Sequence, residues 1–131
     1  MLLGADTNII IRLIIDDDAA QIDRILALLT EHELFVPLTV MLEAEWVLRS
    51  RYSFSRQDIA IAFSALCKLE SIIVEEVDTL NWAIDRYAKS GDFGDLVHLV
   101  ACGDCEGFAT FDEGLRRSAG AESPIAVLSI P

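Results

Sequence analysis

Apolar and polar positions fall in blocks along this chain, and the blocks switch between two periods. Leu2-Leu3-Gly4-Ala5 is a short apolar run ending at Asp6, the pattern of a buried strand. Asn8 to Ile15 is apolar apart from Asn8 and Arg12, and its period leaves helix and strand both open. Asp18 reads as the N-cap of a helix carrying Ile22, Ile25, Leu26 and Leu29 on one face. Leu34-Phe35-Val36, β-prone and closed by Pro37, predicts a second strand. Thr39 reads as the cap of a helix running through Glu43 and Trp46 towards Tyr52. Ser55 and Asp58 form a capping-box pattern ahead of Ile59, Ala62, Phe63 and Leu66, which share a helical face. Ile72-Ile73-Val74 is the third strand. A helix with Leu80, Ala83, Ile84 and Tyr87 follows, stopping near Ser90-Gly91. Asp92 to Cys102 predicts a helix apolar on most sides, buried between other layers. Phe108 to Phe111 and Ile125 to Leu128 complete the strands.

Short apolar strands separated by helices predict an α/β fold, a three-layer α/β/α domain with a mainly parallel sheet of about five strands. No repeat, low-complexity tract or Gly/Ser/Pro-rich linker divides the chain, so residues 1–131 are expected to form a single domain. Hydrophobic residues make up 53% and charged residues 24%, which supports a real core and excludes a disordered acidic tail despite a net charge of −12. The most apolar stretch falls well short of the roughly 20 residues that span a bilayer, so no membrane association is expected. MLLGADTN lacks the basic and apolar segments of a secretory signal, and the expected location is cytoplasmic. The 3 cysteines cannot all pair within one chain, which argues against a disulfide framework.

Charge changes the picture. With 10 basic residues against 22 acidic ones, long-range attraction for a polyanion is weak, and a phosphodiester ligand needs a local reversal of the field. Bound divalent cations supply one. In parallel sheets ligands sit beyond the carboxyl ends of strands, which directs attention to the acids there. Asp6 follows the first strand and Asp112 the fourth, and for each a cap or turn role is an equal alternative. In Gly-Asp-Phe-Gly-Asp-Leu-Val-His a capping box explains Asp92 better than Asp95. Asp95 leads into an apolar segment, where a carboxylate needs a partner or a cation. Glu45 has Arg49 four residues on, a surface ion-pair spacing. Glu43 neighbours Val40, Trp46 and Val47, with no base at i+3 or i+4. Crowded carboxylates ionise together only when cations neutralise them. An all-oxygen set suits Mg²⁺ or Mn²⁺ rather than zinc.

Ala-Asp6-Thr-Asn, Leu-Glu43-Ala-Glu-Trp-Val-Leu-Arg, Asp92-Phe-Gly-Asp95-Leu-Val-His and Ala-Thr110-Phe-Asp112 resemble, in order, the acidic motifs of PIN-domain ribonucleases. Within that family the resemblance is to VapC-type toxins of bacterial toxin–antitoxin pairs, and it covers essentially the whole chain. It implies a metal-dependent endoribonuclease in which Asp6, Glu43, Asp95 and Asp112 form the catalytic, metal-holding quartet. Thr110 matches the family's frequent active-site Thr or Ser, and Asp92 stands behind the quartet as a supporting or capping residue. The implied products carry a 5′-phosphate and a 3′-hydroxyl. The implied partners are RNA, a small antitoxin protein that occupies the active-site groove, and a second copy of the chain, with Trp46 and Phe63 as candidate dimer surface.

Other features point elsewhere less strongly. Cys102-Gly-Asp-Cys105 has redox spacing but follows an apolar helix and lacks a second pair for zinc, so packing is the expectation. His98 reads as an interior or interface side chain, and Asp16-Asp17-Asp18 as a solvated loop and helix start. Arg49, Arg51 and Arg56 with Tyr52, and Arg116 with Arg117, suit either helix ends or RNA backbone contact. The alternative function is a phosphoacceptor signalling domain or a non-catalytic interaction module with an acidic pocket. A receiver domain wants a Lys near the last strand, and the lysines here are Lys68 and Lys89.

Overall fold

Strands of three or four residues hold their shape only when paired, and here the pairing follows two separate groups. The computed structural model describes residues 1–131 as two compact units, Met1–Glu75 and Glu76–Pro131.

In the first unit the elements run β1 (Leu2–Gly4), α1 (Thr7–Ile14), α2 (Ala19–Leu29), β2 (Glu33–Val36), α3 (Leu38–Arg51), α4 (Arg56–Cys67) and β3 (Ile72–Val74). The strands form one parallel sheet in the order β1-β2-β3, with Leu3 opposite Leu34 and Leu34 opposite Ile72. Parallel neighbours need a crossover, and each one here is a helix pair. The segment from Asn8, left open by its periodicity, is helical. Asp6 accepts a hydrogen bond from the Ile9 N–H at 3.2 Å, and the turn buries Ile10 and Ile11. Asp18 caps α2 through the Gln21 N–H (3.0 Å), and Ser55 caps α4 through the Asp58 N–H (3.1 Å), as their patterns predicted. Asp17 pairs with Arg12, so the triple-Asp run is not merely solvated.

Helix α3 starts one residue before its predicted cap. Pro37 occupies the N-cap position and has no side-chain oxygen to offer, while Thr39 lies inside the first turn. The missing acceptor comes from far along the chain: Glu75 Oε1 accepts from the Leu38 N–H at 2.9 Å. Helix α3 packs against both α1 and α4. Glu45, expected at the surface, is only 6% exposed, although its ion pair with Arg49 forms as spaced (2.7 Å). Leu34, Val36, Met41, Leu48, Ile59, Phe63 and Ile72 are buried.

The second unit contains α5 (Val77–Lys89), α6 (Phe93–Ala101), β4 (Phe108–Thr110), α7 (Glu113–Ala119) and β5 (Val127–Ser129). Strands β4 and β5 pair in parallel across the α7 crossover, with Thr110 opposite Ser129. All five expected strands exist, but they hydrogen-bond as a sheet of three and a sheet of two rather than one sheet of five. Alternation of apolar runs reveals strands; it does not say which strand edges exchange backbone hydrogen bonds. Helix α6 buries Phe93, Leu96, Val97, Leu99 and Val100, as an all-round apolar helix should. His98 departs from that pattern and is exposed. Leu99, Leu115, Ala119, Ile125 and Val127 form the unit's core cluster, with Trp82, Cys102 and Phe108 against it. Cys105 closes a turn onto the Cys102 carbonyl (2.9 Å), and the cysteines are free.

Helix α7 is pinned at its far end. Arg86 donates from Nε to the Ser118 carbonyl (2.8 Å) and from Nη2 to that of Arg117 (3.3 Å). Arg116 reaches the Val127 carbonyl through Nε and Nη2 (3.2 and 2.9 Å). The chain leaves α7 through Gly120 at φ 77°, ψ −176°, a conformation other residues rarely adopt.

Candidate active site

In the second unit the predicted acids stand at two helix starts. Asp92 is the N-cap of α6, and its Oδ1 accepts from the Asp95 N–H at 3.0 Å. Asp112 follows β4 and is the N-cap of α7, its Oδ1 accepting from the Gly114 N–H at 2.8 Å. Thr110 sets up that cap, because its hydroxyl oxygen accepts from the Asp112 N–H at 3.0 Å. Each cap engages a single carboxylate oxygen, so the capping role assigned to these residues does not exclude a second ligand on the other oxygen.

Asp95 differs from its neighbours. It lies in the first turn of α6, partly buried, and its backbone N–H is the group that Asp92 caps. Burial pushes its carboxyl group above the ordinary carboxylate range. The charge of Asp92 pushes the same way, His98 opposes it, and Asp112 adds a smaller upward push. A carboxylate in this position favours any cation that approaches it.

In the first unit, Asp6 lies beyond the carboxyl end of β1, where Ala5 extends the ladder through its N–H to the Phe35 carbonyl (2.9 Å). Asp6 lines a cavity of about 420 Å³ with Asn8, Arg12, Gln21 and Arg24. Glu43 is exposed on α3 and lines a larger cavity of about 710 Å³, together with Thr7, Asn8, Thr39, Trp46 and Arg51. Asn8 and Arg12 border both cavities, which makes them neighbours.

The structure thus brings Asp92 and Asp112 within electrostatic reach of Asp95, and sets Asp6 and Glu43 on adjoining cavities. It does not draw any group of three or more His, Cys, Asp or Glu side chains together tightly enough to hold a metal ion. The donor chemistry fits Mg²⁺ or Mn²⁺ all the same: the acids offer only hard oxygens, and Asp95 stands among like charges that a cation would relieve.

Several basic residues turn out to be structural. Arg49 is held by Glu45, and Arg116 by the Val127 carbonyl. Arg51 instead stands over the Trp46 ring, 5.8 Å from its centroid. Phe63 is fully buried and offers no dimer surface, whereas Trp46 is 50% exposed. Arg86 went unnoticed in the sequence because an Arg in the last turn of a helix carries no local sign of a distant carbonyl partner. Arg12 left only a faint signal, as the lone charge in an apolar run.

The family model of the PIN domain matches residues 5–121, nearly the whole chain and both units. The chain belongs to the PIN-domain family. Membership carries the three-layer α/β/α fold class expected from the alternation of elements, and the described parallel strands and seven helices agree with it. PIN domains are generally metal-dependent nucleases that bind RNA, which makes nuclease the activity class of this PIN domain. The matched span contains Asp6, Glu43, Asp92, Asp95, Thr110 and Asp112. No curated protein and no solved structure gave a significant match. No helix is long and apolar enough to cross a membrane.

Proposed function

We propose that this PIN domain is a Mg²⁺- or Mn²⁺-dependent endoribonuclease, the toxin of a toxin–antitoxin pair. The observation that carries the reading is Asp95, a partly buried carboxylate beside Asp92 and Asp112 whose proton affinity is raised by burial and by their charge. Asp6 and Asp95 would hold the cation, with Glu43 and Asp112 completing the acidic quartet. Asp92 acts through Asp95 by capping the helix that presents it, and Thr110 acts through Asp112 by fixing the turn before it.

A bound divalent cation supplies Lewis acidity, acidifying water and offsetting charge on the leaving oxygen. Glu43 or Asp112 orients the attacking water and takes its proton. Water adds to phosphorus in line as the bond to the 3′ oxygen breaks. That oxygen leaves as a hydroxyl, and the phosphate stays on the 5′ side. All four acids serve one reaction, so loss of any one should lower its rate. The acidic surroundings also suit a small antitoxin whose basic side chain sits among the carboxylates in place of the cation. A homodimer and a cytoplasmic location belong to the same reading.

The test incubates purified, partner-free protein with total RNA and Mg²⁺ or Mn²⁺, with and without EDTA, beside Asp95→Asn and Asp23→Asn. Asp23 is an exposed acid on α2, outside both cavities. Cleavage should stop in EDTA, fall by about 10²-fold or more in Asp95→Asn, and persist in Asp23→Asn. Equal cleavage by both variants, or cleavage undiminished by EDTA, overturns the reading.

A further inference from the structure

The larger cavity of the first unit is more than a setting for Glu43. Its volume, about 710 Å³, falls within the roughly 300–1,000 Å³ typical of small-ligand sites. Trp46 follows Glu43 by three residues on α3 and lines the same wall, with half its surface open to solvent. An indole left so exposed is available as a stacking platform. Arg51, an exposed side chain with no ion pair, holds its guanidinium 5.8 Å from the centre of that ring. Thr7, Asn8 and Thr39 add short hydrogen-bonding groups. Arg12 also lines the cavity but is held by Asp17, so Arg51 is the cation free to meet an anion.

We infer that this cavity receives one unpaired nucleotide of the RNA, its base stacked on Trp46 and its phosphate against Arg51. The inference rests on the ribonuclease reading and deepens it, since the pocket adjoins the acid Glu43. An aromatic face beside a cation is the combination that holds single-stranded nucleic acid, because every base offers a π-face and every nucleotide a phosphate. A base inside an A-form duplex is stacked on both sides and cannot enter such a recess. The local cation also answers the problem set by the chain's net charge of −12, which gives RNA no long-range attraction. Concavity and the polar side chains of Thr7, Asn8 and Thr39 in its lining favour a nucleotide over the flat apolar seam of a second copy.

The test uses fluorescence. The chain has 2 tryptophans, and the indole N–H of Trp82 is buried without a hydrogen-bond partner, so Trp82→Phe removes no bond and leaves Trp46 as sole reporter. Short oligoadenylate and oligouridylate, and a duplex of equal length, are titrated in EDTA, while anisotropy of labelled RNA gives the affinity independently. Single strands should quench Trp46 saturably and the duplex should not. Arg51→Gln and Trp46→Leu, checked for folding by circular dichroism, should each weaken single-strand binding about tenfold. Should Trp82→Phe misfold, the anisotropy arm in the otherwise wild-type chain still decides the matter. RNA that binds with Trp46 silent, or equal binding by the variants, overturns the pocket and spares the ribonuclease reading. RNA neither bound nor cleaved sinks both. Trp46 emission that follows protein concentration but ignores RNA assigns the face to a second copy and overturns the inference.

Discussion

Gly120 and Arg86 form the sharpest coupled pair in the second unit. Gly120 leaves α7 at φ 77°, ψ −176°, in a region essentially reserved for glycine, where another residue costs about 1–3 kcal/mol. A Cβ there would stand 2.9 Å from Arg86 Cζ, so Gly120→Ala must also push the guanidinium aside. That guanidinium makes two hydrogen bonds to carbonyls at the end of α7, at 2.8 and 3.3 Å. Bonds to charged groups are worth about 1.5–3 kcal/mol, and the longer, exposed one adds little, so about 2 kcal/mol is lost with them. Gly120→Ala should therefore cost about 3–5 kcal/mol and Arg86→Ala about 2 kcal/mol. In the double variant the guanidinium is already gone and only the backbone penalty remains. The two effects should fall short of additivity by about 2 kcal/mol. Urea unfolding of the four proteins, followed by circular dichroism with equal slopes, measures this. Additivity within about 0.5 kcal/mol would refute the reasoning, because the backbone strain would then act alone. The pair matters for function because α7 begins at Asp112, and Arg86 anchors its other end.

Further predictions concern the acids and their supports. A raised Asp95 pKa means that the folded chain holds that proton more tightly than the unfolded chain. Its stabilising contribution is complete below the unfolded value, near 3.8, and is lost as pH rises through the folded value. In EDTA at pH 7, Asp95→Asn should thus melt higher than wild type, with the gap closing below about pH 4; a lower melting temperature at pH 7 contradicts the charge argument. Mg²⁺ should raise the melting temperature of the wild type more than that of Asp95→Asn, measured by calorimetry. Glu75→Ala should cost about 1 kcal/mol in urea by uncapping Leu38, while Glu75→Gln keeps most of it because an amide oxygen still accepts. Thr110→Val, which removes the acceptor for the Asp112 N–H, should lower nuclease activity and stability, and Thr110→Ser should restore both.

Features that depend on a few consecutive residues were readable from the order of amino acids alone. Ser55 ahead of Asp58, Asp18 ahead of Gln21 and the apolar circumference of α6 each announce a local hydrogen bond or a buried face, and each appears as read. Asp6 and Asp112 could be placed after strands, and Asp95 before an apolar helix, by the same local logic. The double life of Asp6 and Asp112 as caps was equally visible, since an Asp just before a helix reaches the next turn's N–H in almost any fold. Long-range partners were not. Glu75 caps a helix that starts 37 positions earlier, and Arg86 finds carbonyls 31 and 32 positions later. Glu45 looked like half of a surface ion pair, and only the folded chain, in which α3 packs against α1 and α4, shows it buried. The apolar runs promised strands but left the pairing of three with two to the folded backbone. Short-range patterns act through a turn of helix or a single pleat, whereas these contacts exist only after distant segments have been brought together, which is why no window of the sequence contains them.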